Sequence, residues 1–265
     1  MKDEFFIGKE FEIKRIGLGT MRLTSGVGKW GMPEDKNHTI KLLKEAVEIG
    51  FNFFDTADMY GPYISERIIA EALYPYRKNI KIATKGGNII SGPNKVVANC
   101  SPEHLRKSVH GSLKRLKLER IDLYQLHTVD SEIDIEHSIE ELVKLKEEDK
   151  IRCIGVSNIN LQSLKRAMSV GEISSVQNRY NLNDRSSGEI ISFLEKLGIA
   201  FISYYPLQKG ALASTKELTS DKILTAAQEA LLWQLKRFTN TIVIPGTTSL
   251  AHLKENFRTI QYLNK

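Results

Sequence analysis

The chain has almost no cysteine. Cys100 and Cys153 are its only two in 265 residues, and neither stands at a metal-ligand spacing. A disulfide scaffold and a zinc ribbon are therefore excluded, and the pair fits a reducing, cytoplasmic setting. Pro/Gly/Ser-rich linkers and low-complexity segments are also missing, so one domain over residues 1–265 is expected. No apolar run approaches the ~20 residues of a membrane span. The start, MKDEFF, is charged and then briefly apolar, which is not a secretory signal. The charge is not balanced: +6 net, with a pI near 9.1. Such an excess can mark a nucleic-acid binder. Here the basic residues mostly alternate with acids on helical faces, as in HLRKSVHGSLKRLKLER, with little aromatic interleaving. A basic groove for a phosphorylated small ligand is the better reading, with no nucleic acid and no membrane as partners.

What the chain does have is alternation. Phe5–Ile7 and Phe11–Ile13 flank Gly8-Lys9 as a short hairpin. Ile16–Met21 reads as a first buried strand, followed by a loop with Gly26, Gly28 and Gly31. Helical periodicity over Thr39–Ile49 stops at Gly50. Phe51, Phe53 and Phe54 open a second strand, and Ser65-Glu66 read as cap and first-turn acid of a helix to Leu73. Strands then follow at Ile80–Thr84, Ile121–His127, Cys153–Asn158, Ser174–Tyr180, Ala200–Leu207 and Thr241–Gly246. Between them the pattern predicts helices from Ser101-Pro102-Glu103 to Leu116, then over 137–148, 161–169, 188–197 and 223–237, with a last one from Leu250.

Short β-branched strands in strict alternation with helices indicate a parallel sheet covered by helices. An open sheet gathers its ligand at one switch point. Here polar or ionisable residues end nearly every strand, which suits a closed barrel whose strand ends share one mouth. The expected fold is an α/β (β/α)8 TIM barrel with a short N-terminal β-hairpin.

The mouth would then collect Asp55 from the second strand, Tyr60 from the loop after it, Lys85 from the third strand and His127 from the fourth. A buried lysine needs a carboxylate, and Asp55 on the next strand is the obvious one. A cation beside a phenol favours the phenolate, so Lys85 is expected to lower the pKa of Tyr60. Period-two alternation places Leu123, Gln125 and His127 on one face. Tyrosine as proton donor, with His127 orienting a carbonyl oxygen, suits reduction of a carbonyl by hydride. The plain alternative is a structural Asp–Lys bridge with bystanders. G-L-G-T-M is weak evidence for a nucleotide loop, because the third glycine is missing.

The phrases GLGTM, FFDTADMYG, ATK, CSPEHLRKSVHGSLKRL, DLYQLH, IGVSN, QNRYN, and IPGTT with LKEN resemble the aldo-keto reductase family over nearly the whole chain. The resemblance implies a barrel that binds NADP(H) in extended form, NAD(H) being possible, and reduces a small-molecule carbonyl substrate. It implies a tetrad of Asp55, Tyr60, Lys85 and His127, and a nicotinamide carboxamide held by Ser157, Asn158 and Gln177, with Tyr204 stacked on the ring. Further cofactor contacts would come from Gly19, Thr20, Met21 and Asp55, from Tyr205, Pro206 and Leu207, and from Ile244, Gly246, Thr247, Thr248, His252, Glu255 and Asn256. No metal is implied. Ser249 reads as a cap that turns the last helix N-terminus into an anion site with Thr247, Thr248, His252 and Lys254.

The chain also departs from the pattern. Gly246 stands where many members carry Lys or Arg, and His252 where many carry Arg. Tyr205 replaces a serine common before that proline. The chain stops at Lys265 and the loop after His127 is short, so an open mouth is expected, in a monomer or weak oligomer. GPYISE, EALYPY, the QNRYN strand end and IPGTTSLAHLKEN are similar to the pyridoxal reductase branch. Two other readings have distinct tests. A cofactor-binding regulatory protein, similar to potassium-channel β subunits, would bind NADP(H) with little turnover. An aldolase using Lys85 as Schiff base would be trapped by borohydride, although a paired lysine is a poor nucleophile.

Overall fold

The computed structural model describes residues 1–24, 30–213 and 224–264. A hairpin comes first, β1 (Glu4–Ile7) and β2 (Phe11–Lys14), paired antiparallel. Then, among the described residues, eight parallel strands alternate with eight α-helices: β3 (Leu18–Gly19), α1 (Lys36–Ile49), β4 (Phe53–Asp55), α2 (Ile64–Leu73) and β5 (Lys81–Gly86). An inserted antiparallel hairpin, β6 (Asn88–Gly92) and β7 (Lys95–Ala98), precedes α3 (Pro102–Leu116) and β8 (Ile121–Leu126). The remaining units are α4 (Ile135–Glu147), β9 (Ile151–Ser157), α5 (Leu161–Val170), β10 (Ser175–Arg179), α6 (Gly188–Leu197), β11 (Ala200–Tyr204), α7 (Ala226–Arg237), β12 (Thr241–Val243) and α8 (Leu250–Arg258).

Each strand pairs in parallel with its barrel neighbour, from β3 round to β12. The ring closes where β3 meets β12. Ile16 bridges Val243, Gly17 N–H donates to the Val243 carbonyl at 2.9 Å, and Val243 N–H donates to that of Arg15 at 3.0 Å. The contact there is backbone on backbone. A Cβ at Gly19 would lie 2.7 Å from the Ile244 carbonyl oxygen, and one at Gly246 would lie 2.7 Å from that of Gly19. Both positions need glycine because no side chain fits between the strands.

The β1–β2 hairpin closes the opposite end. Ile7, Phe11 and Ile13 pack on the inward residues Phe53, Ala83, Leu123, Cys153, Ala200 and Ile202, so one end of the barrel is a sealed apolar floor. Outside, the helices bury their apolar stripes on the outward strand residues. Local chemistry sets their ends. Asp35 accepts from His38 N–H at 2.8 Å to start α1, and Gly50 ends it at φ 111°. Ser101 with Pro102 starts α3, Asn160 caps α5 and Ser249 caps α8.

Three expectations need correction. Glu66 stands in the first turn of α2 as expected, but Ser65 is not its cap, because the helix starts at Ile64 after Tyr63. Both side chains turn inward: Ser65 bonds Thr20 and Thr56, and Glu66 accepts from Thr84 and Arg115. Buried hydroxyls and the partly buried Arg115 outcompete solvent-facing backbone N–H groups for them. The β6–β7 hairpin falls where no strands were expected. The helix expected over 223–237 starts at Ala226, because Thr225 and Gln228 form a reciprocal capping box. Ile223, like Gly26 and Gly28, lies outside the described residues.

Candidate active site

The carboxyl-terminal ends of the barrel strands surround a cavity of about 830 Å³. Asp55, which ends β4 and is 2% exposed, lines it. Lys85, on the adjacent β5 and fully buried, donates to Asp55 Oδ1 at 2.6 Å and to the Thr56 carbonyl at 2.8 Å. Its Nζ also lies 3.5 Å from the Tyr60 hydroxyl. Asp55 Oδ2 accepts from Gln177 Nε2 at 2.7 Å and Gln125 Nε2 at 3.3 Å. The inward polar Gln125 is thereby explained. It belongs to a carboxylate-centred network spanning β4, β5, β8 and β10. Three donors on one buried carboxylate make a rigid anchor.

Tyr60 and His127 face one another edge to face, ring centroids 6.1 Å apart, and both line the cavity. Tyr63 points away, exposed, with Arg115 over its ring at 4.4 Å. The expected acidification of Tyr60 is not what the structure favours. Burial, reinforced by Asp55, pushes the phenol well above its ordinary value. Lys85 is already engaged by Asp55 and does not offset that desolvation. Burial likewise drives the Lys85 ammonium down while Asp55 holds it up. Burial and the Lys85 charge push His127 well below the usual histidine range, so its ring is neutral. The site thus holds a phenol that keeps its proton and an imidazole able to offer one N–H.

The cofactor contacts expected from the sequence line this cavity with the exception of Lys254, and the expected tetrad joins them except Lys85, which stands behind Asp55 and Tyr60. Ser157 ends β9 and is buried, while Asn158, at φ 55°, accepts at Oδ1 from the Tyr204 hydroxyl at 2.7 Å. At the far end α8 begins under the Gly246–Ser249 turn, where Ser249 accepts from His252 N–H at 3.3 Å and His38 bonds the Thr248 carbonyl at 2.7 Å. Lys254 does not join that turn. It pairs with Glu45 on α1 at 2.7 Å and is not part of the cavity wall. Sequence reading missed Arg22, Arg179 and Lys209 in the wall. Arg179 was findable: it lies two residues beyond Gln177 on β10 and so on the same face, one step nearer the mouth.

The fold and the mouth define a (β/α)8 barrel whose ionisable residues gather at the strand carboxyl ends. A family model described as "Aldo/keto reductase family" matches residues 15–223, and the chain belongs to that family and is an oxidoreductase. It is 40% identical over 250 residues to an uncharacterized oxidoreductase of Schizosaccharomyces pombe, covering 93% of this chain and 81% of that one. To the pyridoxine 4-dehydrogenase of Escherichia coli it is 35% identical over 255 residues, covering 92% and 88%. An aldo/keto reductase of Klebsiella pneumoniae, solved in complex with NADP and acetate, shares the fold with a TM-score of 0.81 at 22% identity, covering 98% of this chain and 90% of that one.

Proposed function

We propose that this chain reduces an aldehyde or ketone to the alcohol with NADP(H), Tyr60 donating the proton, and that pyridoxal is a substrate. The observation that carries the reading is the Tyr60 hydroxyl, protonated and 3.5 Å from Lys85 Nζ, in one cavity wall with a neutral His127. The donor set fits the cofactor. Ser157, Asn158 and Gln177 present amide-complementary groups, Tyr204 an aromatic face, and the Thr247–Ser249 turn a helix N-terminus for phosphate. When bound, the reduced nicotinamide supplies the hydride.

This chain's residues do the rest. His127 orients the carbonyl oxygen by an N–H bond, and Tyr60 lies beside it. As the carbon is reduced, charge collects on that oxygen. An alkoxide is a far stronger base than a phenolate, so even a tyrosine held above its ordinary value protonates it. Lys85 then stabilises the Tyr60 oxygen as the proton leaves, and Asp55 keeps Lys85 in place. The pyridoxal reading rests on the pyridoxine 4-dehydrogenase relative and on a wall with aromatic faces at Tyr204 and Tyr205. The test is NADPH oxidation by the purified protein with a panel of aldehydes. Turnover of pyridoxal at least comparable to simple benzaldehydes is expected. Benzaldehydes far ahead of an inert pyridoxal would remove the substrate, and tight NADPH binding without any turnover would replace the enzyme by a sensor.

A further inference from the structure

Behind the tetrad lies a second ionisable shell. Asp58 is 3% exposed and sits on the loop that joins Asp55 to Tyr60. Its N–H donates to the Lys85 carbonyl at 3.1 Å, and its own carbonyl accepts from Tyr63 N–H at 2.7 Å. The residue therefore ties the tyrosine loop to the lysine strand. Glu66 faces it from α2, Arg115 from α3, Lys85 from β5 and Tyr124 from β8, with Asp55 and Tyr60 on its own segment.

A charge count singles out Asp58. The carboxyls of this shell are Asp55, Asp58 and Glu66, and the cations are Lys85 and Arg115. Lys85 is spent on Asp55, and Arg115 on Glu66, which also takes the Thr84 hydroxyl at 2.7 Å. Asp58 is left with no ion pair among the described residues, and its Oδ1 is buried without a hydrogen-bond partner. The Tyr124 hydroxyl beside it is in the same state. Both crowd the bare backbone of Gly86, next to Lys85. A Cβ there would stand 2.1 Å from the Tyr124 hydroxyl and 3.2 Å from Asp58 Oδ2.

We propose that Asp58 is a positioning residue of this reductase site that works as the neutral acid, holding the Tyr60 loop on the Lys85 strand without adding a charge. A buried carboxylate lacking a cation is the costly case, whereas the protonated acid is neutral and escapes that cost. Neutrality also matters for the reaction, which rests on the Tyr60 reading. An ionised Asp58 would oppose both the departure of the Tyr60 proton and the charge growing on the substrate oxygen. Burial, then Glu66, holds this carboxyl up to about 8. Alkaline conditions thus switch on the unfavourable charge.

The sign for stability follows. The folded chain keeps a proton that the unfolded chain releases in the ordinary carboxylate range. This group's contribution is therefore present at acid pH and is lost as pH rises from about 4 to about 8. Asp58→Asn imitates the protonated acid. Its melting temperature should match wild type at pH 4 and exceed it at pH 8. Its kcat for reduction should pass wild type above pH 8, where the native enzyme declines. A variant less stable than wild type at pH 8, or one losing ten-fold in kcat at pH 7, overturns the proposal. If the variant fails to fold, infrared titration of the wild-type chain decides. A protonated-carboxyl band that vanishes near pH 8 supports it, and the lack of such a band at pH 6 ends it. Melting and infrared readings need no turnover, so their outcome is separate from that of the reductase reading.

Discussion

The two ends of this barrel are built from the same strands and behave as different materials. At the floor, Ile7, Phe11 and Ile13 meet Phe53, Leu123 and Ile202 in apolar contact. At the mouth, Asp55, Lys85, Gln125 and Gln177 form a buried polar network, and Asp58, Tyr124 and His127 each keep a buried atom without a partner. One strand supplies both ends: β8 puts Leu123 in the floor cluster and Gln125 on Asp55. Stability and chemistry are therefore separated along the barrel axis by two residues, and mutations at the two ends should separate in the same way.

The sharpest break is at the mouth. Tyr60→Phe keeps the ring and removes the proton. We expect kcat to fall about 10²–10⁴-fold with cofactor affinity and melting temperature nearly intact. Near wild-type kcat in that variant would end the proton-donor assignment. Lys85→Met should cost a similar factor, because it strands Asp55 without its cation, and the double variant should add little further loss. The floor should give the mirror image. Ile13→Ala removes a fully buried side chain and should cost about 2–5 kcal/mol in denaturant titration, with kcat per folded molecule unchanged. A large fall in kcat there would erase the division. The smallest effect belongs to the cavity's far end. His252→Ala should weaken NADPH binding by up to about ten-fold, one charge-assisted contact, and leave NADH binding alone. Equal losses for both cofactors would show that His252 does not meet the 2′-phosphate.

Much of this was legible in the residues. Strand ends could be read because short β-branched runs stop at Asp55, Lys85, His127 and Ser157, and a closed barrel sends such ends to one place. Side-chain partnerships were less legible. Ser65 reads as a helix cap, yet distant Thr20 claims its hydroxyl, and the first-turn Glu66 turns inward to Thr84 and Arg115. Lys254 looks like a phosphate ligand until Glu45 on α1 takes it. The direction of the Tyr60 shift is not legible, because the residues show the neighbouring cation but not the burial, and in the folded chain desolvation dominates. The β6–β7 hairpin is not legible, because Ile89, Val96 and Val97 stay exposed and no core-facing pattern marks it.

The glycine joint between β3 and β12 has a mechanical consequence. A closed barrel has no free edge, but its first and last strands still meet at a seam. Here few side chains can grip across it, since Gly19 and Gly246 each exclude a Cβ. Its outermost link, Gly19 N–H to the Pro245 carbonyl, is long at 3.4 Å. Gly19, Ile244 and Gly246 also wall the cavity, so a ligand lying there bridges the seam from inside. Occupancy should act as a clasp: amide exchange at Gly19 and Gly246 would slow on binding, while the sealed hairpin end would exchange no differently.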